Sequence, residues 1–396
     1  MCGLLVLVFG VAFGPDIMTG FKGNTAQAAC FLWVCDPVRG GYSTHILEQP
    51  QSERDTYAGL AASGGAGYIR DNISWASVEQ SQGVYWWSET DPVVETAAKK
   101  NLKLLMLVGT TPSWASGVAK DSIPNWHWAP PQNPADYANF VAKVMQRYGK
   151  NGTFWTENPT LPKVVPVGIE LWNEPNLAQF WGNQAPDPVK YTAMLKAGYQ
   201  AVKASDTAMT VVSAGLSPQA GYNDIDCNGV ADSGKNTTAF TGLNYFEQMY
   251  KNGAKGYFDA IGWHSYMYIQ PTATKMMANQ KCSGWSQMAS TSPSVQSFMS
   301  NYGDAAKKIW VTETGAPSCV AGATYPCLSE TEQANLASQQ MNLFKTYSWA
   351  GLYFWYDVRD DYGGASLSDG EQHYGAVRAN NTAKPVYSTI KIGFGK

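Results

Sequence analysis

Two glutamates stand at the ends of apolar runs, where a buried strand would hand its last side chains to a site. Glu174 closes GIELWNE, residues 168–174, and Glu313 closes IWVTE, residues 309–313. A hydrophobic run that stops abruptly in polar residues reads as a parallel strand covered on both faces. A pair of carboxylates across a cleft is what cleavage of a glycosidic bond requires: one protonates the leaving oxygen, and the other attacks the anomeric carbon or activates water. The two must therefore differ in proton affinity. Arg70, a permanent cation, is placed to keep Glu313 ionised, and Tyr266 to hydrogen-bond the same carboxylate. Glu174 lies among Trp172, Asn173 and Pro175, where partial desolvation raises its pKa. His264 is expected either to orient one of the glutamates or to be a structural histidine bonded to backbone.

For these residues to meet, the chain must bring several strand ends to one rim. Apolar runs mark candidate strands at Tyr42–Leu47, Tyr68–Asn72, Lys103–Val108, Val165–Leu171, Thr210–Ala214, Phe258–Trp263, Lys308–Thr312 and Gly351–Trp355. Between them, Pro134–Tyr148 and Pro188–Ser205 repeat apolar residues at helical spacing. Ser329 with Glu332 three residues on is a capping box, opening a helix that runs to about Tyr347. Eight strands, each followed by helix, predict an α/β fold made of a single (β/α)8 TIM barrel over residues 42–396. Residues 1–41 are read as a signal segment and N-terminal extension. In such a barrel the residues just past each strand share the catalytic rim. That rim would gather Arg70 from the second strand, Thr110 to Trp114 from the third, Asn173 and Glu174 from the fourth, His264 and Tyr266 from the sixth, Glu313 from the seventh and Trp355 to Asp357 from the eighth.

Composition narrows the ligand. The chain has 396 residues, 28 Lys plus Arg against 31 Asp plus Glu, and a net charge of −3. That balance, with no basic stretch, argues against nucleic acid as a partner. Charged residues make up 15% and aromatics 13%, including 15 Trp and 22 Tyr, which suits a neutral, flat-faced ligand. Four His, seven Cys, no CxxC pair and no HExxH argue against a metal, and no cofactor is expected. The close pairs Cys30/Cys35 and Cys319/Cys327 predict small disulfide loops, and Cys227 with Cys282 a longer one, leaving Cys2 unmatched. Such usage favours an oxidising compartment. Gly3 to Gly14 is apolar but too short to span a bilayer, and Ala26-Gln27-Ala28 has the form of a signal cleavage site. No Lys or Arg precedes that run. Secretion or a cell-envelope location is the expectation.

Taken together, IELWNEPN (169–176), WHSY (263–266), WVTETG (310–315), FWYDVRDD (354–361) and IRDNISWASVEQSQGVYWW (69–87) make the chain resemble the retaining glycosidases of clan A. The resemblance is greatest to glycoside hydrolase family 39 and related bacterial exopolysaccharide hydrolases, and it covers roughly Tyr42 to Ile392. Asn-Glu-Pro after a hydrophobic strand is a fairly specific signal, and a Glu on the seventh strand in the right order makes it strong. The resemblance implies that Glu174 is the general acid/base and Glu313 the nucleophile. It further implies that Asn173 contacts the hydroxyl next to the anomeric carbon, that Arg70 supports the nucleophile, and that His264 and Tyr266 line the cleft. Net retention through a glycosyl-enzyme intermediate, with carboxyl groups about 5–5.5 Å apart, follows for such enzymes. Family 39 xylosidases carry a β-sandwich after the barrel for which this sequence leaves no residues, which favours the compact members.

Sugar rings stack their C–H faces on aromatic rings. Trp114, Trp128, Trp181 and Trp355, on or after strand ends, are therefore candidate platforms for a polysaccharide or oligosaccharide substrate, with Trp126 and Trp285 beside them. Trp355, inside YFWY, also suits the barrel core. Asp360 and Asp361 are read as a solvated or salt-bridged pair. The sequence thus predicts a secreted endo-acting glycosidase; an exo-glycosidase and a non-catalytic carbohydrate-binding barrel are the alternatives.

Overall fold

The computed structural model describes residues 37–218, 241–266, 283–325, 327–360 and 367–396. Cys2, the pairs Cys30/Cys35 and Cys227/Cys282, the segment 1–36 and Asp361 lie outside them. Eight parallel strands close into a barrel in sequence order: β1 Gly40–Ser43, β2 Tyr68–Ser74, β3 Lys103–Gly109, β4 Gly168–Asn173, β5 Thr210–Gly215, β6 Ala260–His264, β7 Lys308–Thr314 and β8 Ala350–Tyr356. The (β/α)8 fold expected from the sequence is the fold observed. The first strand begins at Gly40, before the expected Tyr42–Leu47 run, and ends at Ser43, after which Thr44 and Ile46 are tied to the Arg70 carbonyl and the Asp71 carboxylate instead of continuing the ladder.

Burial explains why these segments are strands. In β3 every residue after Lys103 is buried, and β4 is buried throughout. Each strand has one face toward the barrel axis and the other toward the helices, so no polar alternation survives. Leu105, Val212, Ala260, Trp310, Leu352 and Phe354 form a separate apolar cluster that fills the barrel interior. The larger core lies between strands and helices. Helices form at Pro134–Tyr148 and Pro188–Ser205 as their periodicity predicts, each opened by a side-chain cap, Asn133 and Asp187 respectively. The Ser329–Glu332 capping box opens the helix Glu330–Phe344.

Above the apolar interior layer the inward positions turn polar. Arg70, Glu170, Asn173, Glu174, His264 and Glu313 occupy the upper barrel, and all but Glu313 are buried. Among the described residues, no helix is long and apolar enough to cross a membrane.

Candidate active site

Arg70 is the hub. It projects from β2 and is 3% exposed. Its Nε donates to Glu170 on β4, its Nη1 to Glu313 Oε1 at 2.6 Å and Ser43 Oγ at 3.2 Å, and its Nη2 to Asn173 Oδ1 at 2.8 Å. One planar guanidinium thus fixes β1, β4 and β7 relative to one another. Glu170 Oε1 also accepts from the Gly215 backbone N–H at 2.9 Å. The sequence does not single out Glu170. Its signal was a carboxylate inside an apolar strand run, which is tolerable only with a buried cation beside it.

Glu313 leaves β7 with both oxygens engaged, Oε1 by Arg70 and Oε2 by Tyr266 OH at 2.7 Å. Burial by itself would raise its pKa. The positive charges of His264 and Arg70, with the hydrogen bonds from Tyr266 and Arg70, outweigh that and hold it below the ordinary glutamate value. Glu174 behaves in the opposite sense. Burial raises its pKa, the Glu313 charge adds to the effect, and the hydrogen bond from His264 Nδ1 to Oε1 at 2.7 Å offsets only part of it. The two carboxyls are thus pushed in opposite directions, as an acid and a nucleophile in one site require.

Local backbone geometry delivers Glu174. Trp172 sits at φ 84° and Glu174 at φ 38°, left-handed conformations that cost a non-glycine residue about 1–3 kcal/mol each. Packing holds them there. Trp172 is surrounded by Trp128 at 5.6 Å, Tyr137 at 6.0 Å and Trp181 at 6.0 Å between ring centroids, and its Nε1 donates to Phe180 O. The Glu174 N–H donates to Gly215 O at 3.0 Å. On the neighbouring strand, the β6–β7 register shifts between Trp263 and His264, which sets His264 opposite Glu313. His264 Nδ1 therefore lies 2.7 Å from Glu174 Oε1 and 3.6 Å from Glu313 Oε2. Both carboxyls thus meet at one histidine nitrogen.

The glutamates open into a cavity of about 740 Å³. Tyr266, Tyr325, Tyr356 and Tyr374 line it on the Glu313 side, and Trp128, Leu177 and Phe180 on the Glu174 side. Tyr356 OH donates to Glu371 at 2.7 Å, and both line the cavity. His45 enters from the loop after β1. Burial would lower its pKa, but Asp357, 3.0 Å away, raises it to about 10, so it is a cation. That loop is fastened by Asp71, which accepts from Thr44 Oγ1 and from the Ile46 N–H, each at 2.7 Å. Tyr356 lies on the rim that the sequence predicts, whereas His45 and Glu371 are not singled out by it.

Of the four tryptophans proposed as platforms, only Trp128 lines the cavity. Trp355 is fully buried, because alternation along β8 turns its neighbour Tyr356 inward and Trp355 toward the helices. Trp181 is 1% exposed and supports Trp172 from behind. Trp114 is half-buried on the β3 loop, edge-on to Trp75, with its Nε1 donating to Glu79 O. These three are packing residues, and the cavity-lining aromatics on the Glu313 side are tyrosines. Trp285 is also buried. Asp360 is salt-bridged to Lys384 at 2.6 Å. Among the described residues, no group of three or more His, Cys, Asp or Glu could hold a metal ion.

No protein-family model matches the sequence, and neither does any curated protein. Solved structures do resemble it. A family 39 glycoside hydrolase from the gut symbiont Bacteroides cellulosilyticus superposes with a TM-score of 0.61 at 20% identity, covering 90% of this chain and 63% of that one. A GH39 β-xylosidase from Caulobacter crescentus gives 0.57 at 17% identity, covering 90% and 71%. A GH5 subfamily 18 protein from Bifidobacterium longum, solved with Manb1-4GlcNAc, gives 0.60 at 13% identity, covering 90% and 78%. The chain spans less than two-thirds of the Bacteroides enzyme's length. What it shares with all three is the barrel.

Proposed function

We propose that this protein is a retaining glycoside hydrolase that cleaves a polysaccharide internally, with Glu313 as nucleophile and Glu174 as general acid/base. The carrying observation is the opposite tuning of two carboxyls around one histidine: Glu313 is ionised against Arg70 and Tyr266, while Glu174 is desolvated against His264 Nδ1. One oxygen of each reaches the same His264 nitrogen, at 2.7 Å and 3.6 Å, and this closeness supports the retaining reading over an inverting one. In the first step the Glu313 carboxylate attacks the anomeric carbon and the bond to the leaving oxygen breaks. Glu174 gives its proton to that oxygen. In the second step Glu174, now a carboxylate, takes a proton from water; the water oxygen attacks the anomeric carbon and the ester to Glu313 breaks. Asn173, held by Arg70 Nη2, faces the sugar hydroxyl beside the reacting carbon.

Internal cleavage is favoured because the cavity has aromatic walls on both sides of the carboxyls, so sugar units can be held on either side of the scissile bond. Export from the cytoplasm is part of the proposal. The Cys319–Cys327 bridge, with sulfurs 1.97 Å apart, suits an oxidising compartment.

Glu174→Ala is expected to lower kcat/KM on natural linkages by about 10²–10⁴-fold, the usual worth of a general acid. It should spare the glycosylation step of aryl glycosides with good leaving groups, which need little protonation. Equal losses on both substrate types would remove Glu174 from the acid role. The pH dependence follows from the same split. Activity requires Glu313 ionised, so it rises with pH through a pKa below the ordinary glutamate value. It also requires Glu174 protonated, so it falls as pH passes a pKa above that value. A bell-shaped kcat/KM profile is expected, and Glu174→Gln should abolish its basic limb.

A further inference from the structure

Glu371 is a carboxylate in the cavity that the two-step reaction does not use. It follows β8, in the short 3₁₀ turn Gly370–His373. Several contacts fix that turn. The Asp369 side chain accepts from the Glu371 N–H at 3.0 Å, and His373 stacks on Tyr325 with ring centroids 5.3 Å apart. A Cβ on Gly370 would stand 2.8 Å from Tyr325, so the bare glycine lets the turn press against that ring. The Glu371 side chain stays exposed to the cavity. Tyr356, a phenol kept neutral chiefly by burial, donates to its Oε1 at 2.7 Å, whereas Oε2 has no hydrogen-bond partner among the described residues. One oxygen is thus anchored, and the other is left to the cavity as an acceptor.

We infer that Glu371 selects the sugar unit next to the one that Glu313 attacks, accepting from its hydroxyl groups and turning away units that carry a carboxylate. The place follows from the rings on this wall. Tyr266 bonds Glu313, Tyr356 is the next ring at 6.2 Å between centroids, and Glu371 is bonded to Tyr356. Glu313 retains the sugar it attacks, while Glu174 protonates the group that departs, so the Glu313 wall faces retained units. Around the first of them Arg70, Asn173, Tyr266 and Glu313 already hold one another. Two tyrosines separate Glu371 from that cluster, which sets it at the following unit. Charge decides what that unit can be. Among the described residues lining the cavity, the cations are Arg70 and His45. Arg70 is bonded to Glu170 and Glu313, and His45 to Asp357. Glu48 and Glu371 stay exposed on the same cavity without an ion-pair partner among the described residues. Burial raises the Glu371 pKa, and the Glu313 charge adds to that rise against the Tyr356 bond and the His45 charge. A uronic acid in this place would add an anion to an already negative wall, whereas a neutral sugar offers the O–H donors that Oε2 lacks.

This inference rests on the retaining mechanism proposed above, and the test keeps the two apart. Wild type, Glu371→Ala, Glu371→Gln and Glu313→Ala are compared on p-nitrophenyl hexosides, on the corresponding disaccharide glycosides, and on disaccharide glycosides whose outer unit is the matching uronic acid. Glu371→Ala is expected to lose about 10- to 100-fold in kcat/KM on the neutral disaccharide glycosides, the worth of a hydrogen bond to a charged group, and little on the hexosides. Glu371→Gln keeps the shape without the charge, so it should narrow the wild-type preference for a neutral over a uronic outer unit. Equal Glu371→Ala losses on hexosides and disaccharide glycosides mean damage to the Tyr356 wall and overturn the inference. So do wild-type behaviour of Glu371→Ala, an unchanged preference in Glu371→Gln, or a wild-type preference for the uronic unit. If Glu313→Ala keeps full activity, the retaining mechanism fails first and carries this inference with it. Loss in Glu313→Ala with none in Glu371→Ala sinks this inference alone.

Discussion

Replacing Glu313 by alanine is expected to lower turnover by on the order of 10⁴–10⁶-fold, the scale seen when a covalent nucleophile is removed. No other group can substitute. Asn173 is bound to Arg70, Tyr266 is a phenol kept neutral by burial, and Glu174, its pKa raised by burial, is in the proposed mechanism the proton donor to the leaving group. Alanine opens a small space beside Arg70 and Tyr266. Azide can enter that space and attack an activated substrate from the same face, so added azide should restore measurable turnover and yield a glycosyl azide of inverted configuration. The measurement is release of an aryl leaving group with and without azide, with the product identified by mass spectrometry. Full activity in Glu313→Ala, or azide rescue of Glu174→Ala giving the inverted product instead, would reverse or remove the assignment.

Arg70→Met should have the next largest effect, and on stability as well as catalysis. The guanidinium lies between two carboxylates, Glu170 at 0% and Glu313 at 13% side-chain exposure. Removing it leaves both without their cation, and breaking a buried ion pair in this way costs roughly 3–5 kcal/mol. The midpoint of urea or thermal unfolding should fall accordingly. Catalysis suffers for a separate reason. Without the positive charge the pKa of Glu313 rises, so less of it is ionised and the acid limb of the pH profile moves to higher pH. The double variant Arg70→Met/Glu170→Gln separates the two effects. Neutralising Glu170 should recover much of the stability, because the two sites are in contact and their effects are not additive. It should not recover activity, since Glu313 still lacks its partner. Recovery of both, or of neither, would contradict this description of the hub.

Much of this arrangement is legible in the sequence because it depends on where strands stop. All eight strands announce themselves as apolar runs, and a barrel makes the residue after each run a rim residue. Arg70, Asn173, Glu174, His264, Tyr266 and Glu313 are found in this way, and the structure brings all six together. What cannot be read is facing. YFWY contains four aromatics in a row, and only the register of β8 against β1 and β7 decides that Tyr356 looks into the cavity while Trp355 looks out. Trp181 has the composition of a platform, but its ring is needed beneath Trp172 to hold a strained strand end. Glu170 is hidden for the converse reason: in a buried strand its charge looks out of place until the arginine from another strand, a hundred residues away, is known to meet it. His45 owes its charge to Asp357, from the opposite end of the chain. Pairings of that kind are set by the closure of the barrel and leave no local trace.

If Glu313 and Glu174 cleave a polysaccharide internally, the size of the released products shows it. A panel of bacterial and plant polysaccharides is incubated with wild type beside Glu313→Ala, and the released material is sized by mass spectrometry. Oligosaccharides from one polymer are expected with wild type and none with the variant. Equal release by Glu313→Ala would contradict the catalytic assignment, and release of single sugars alone would contradict internal cleavage.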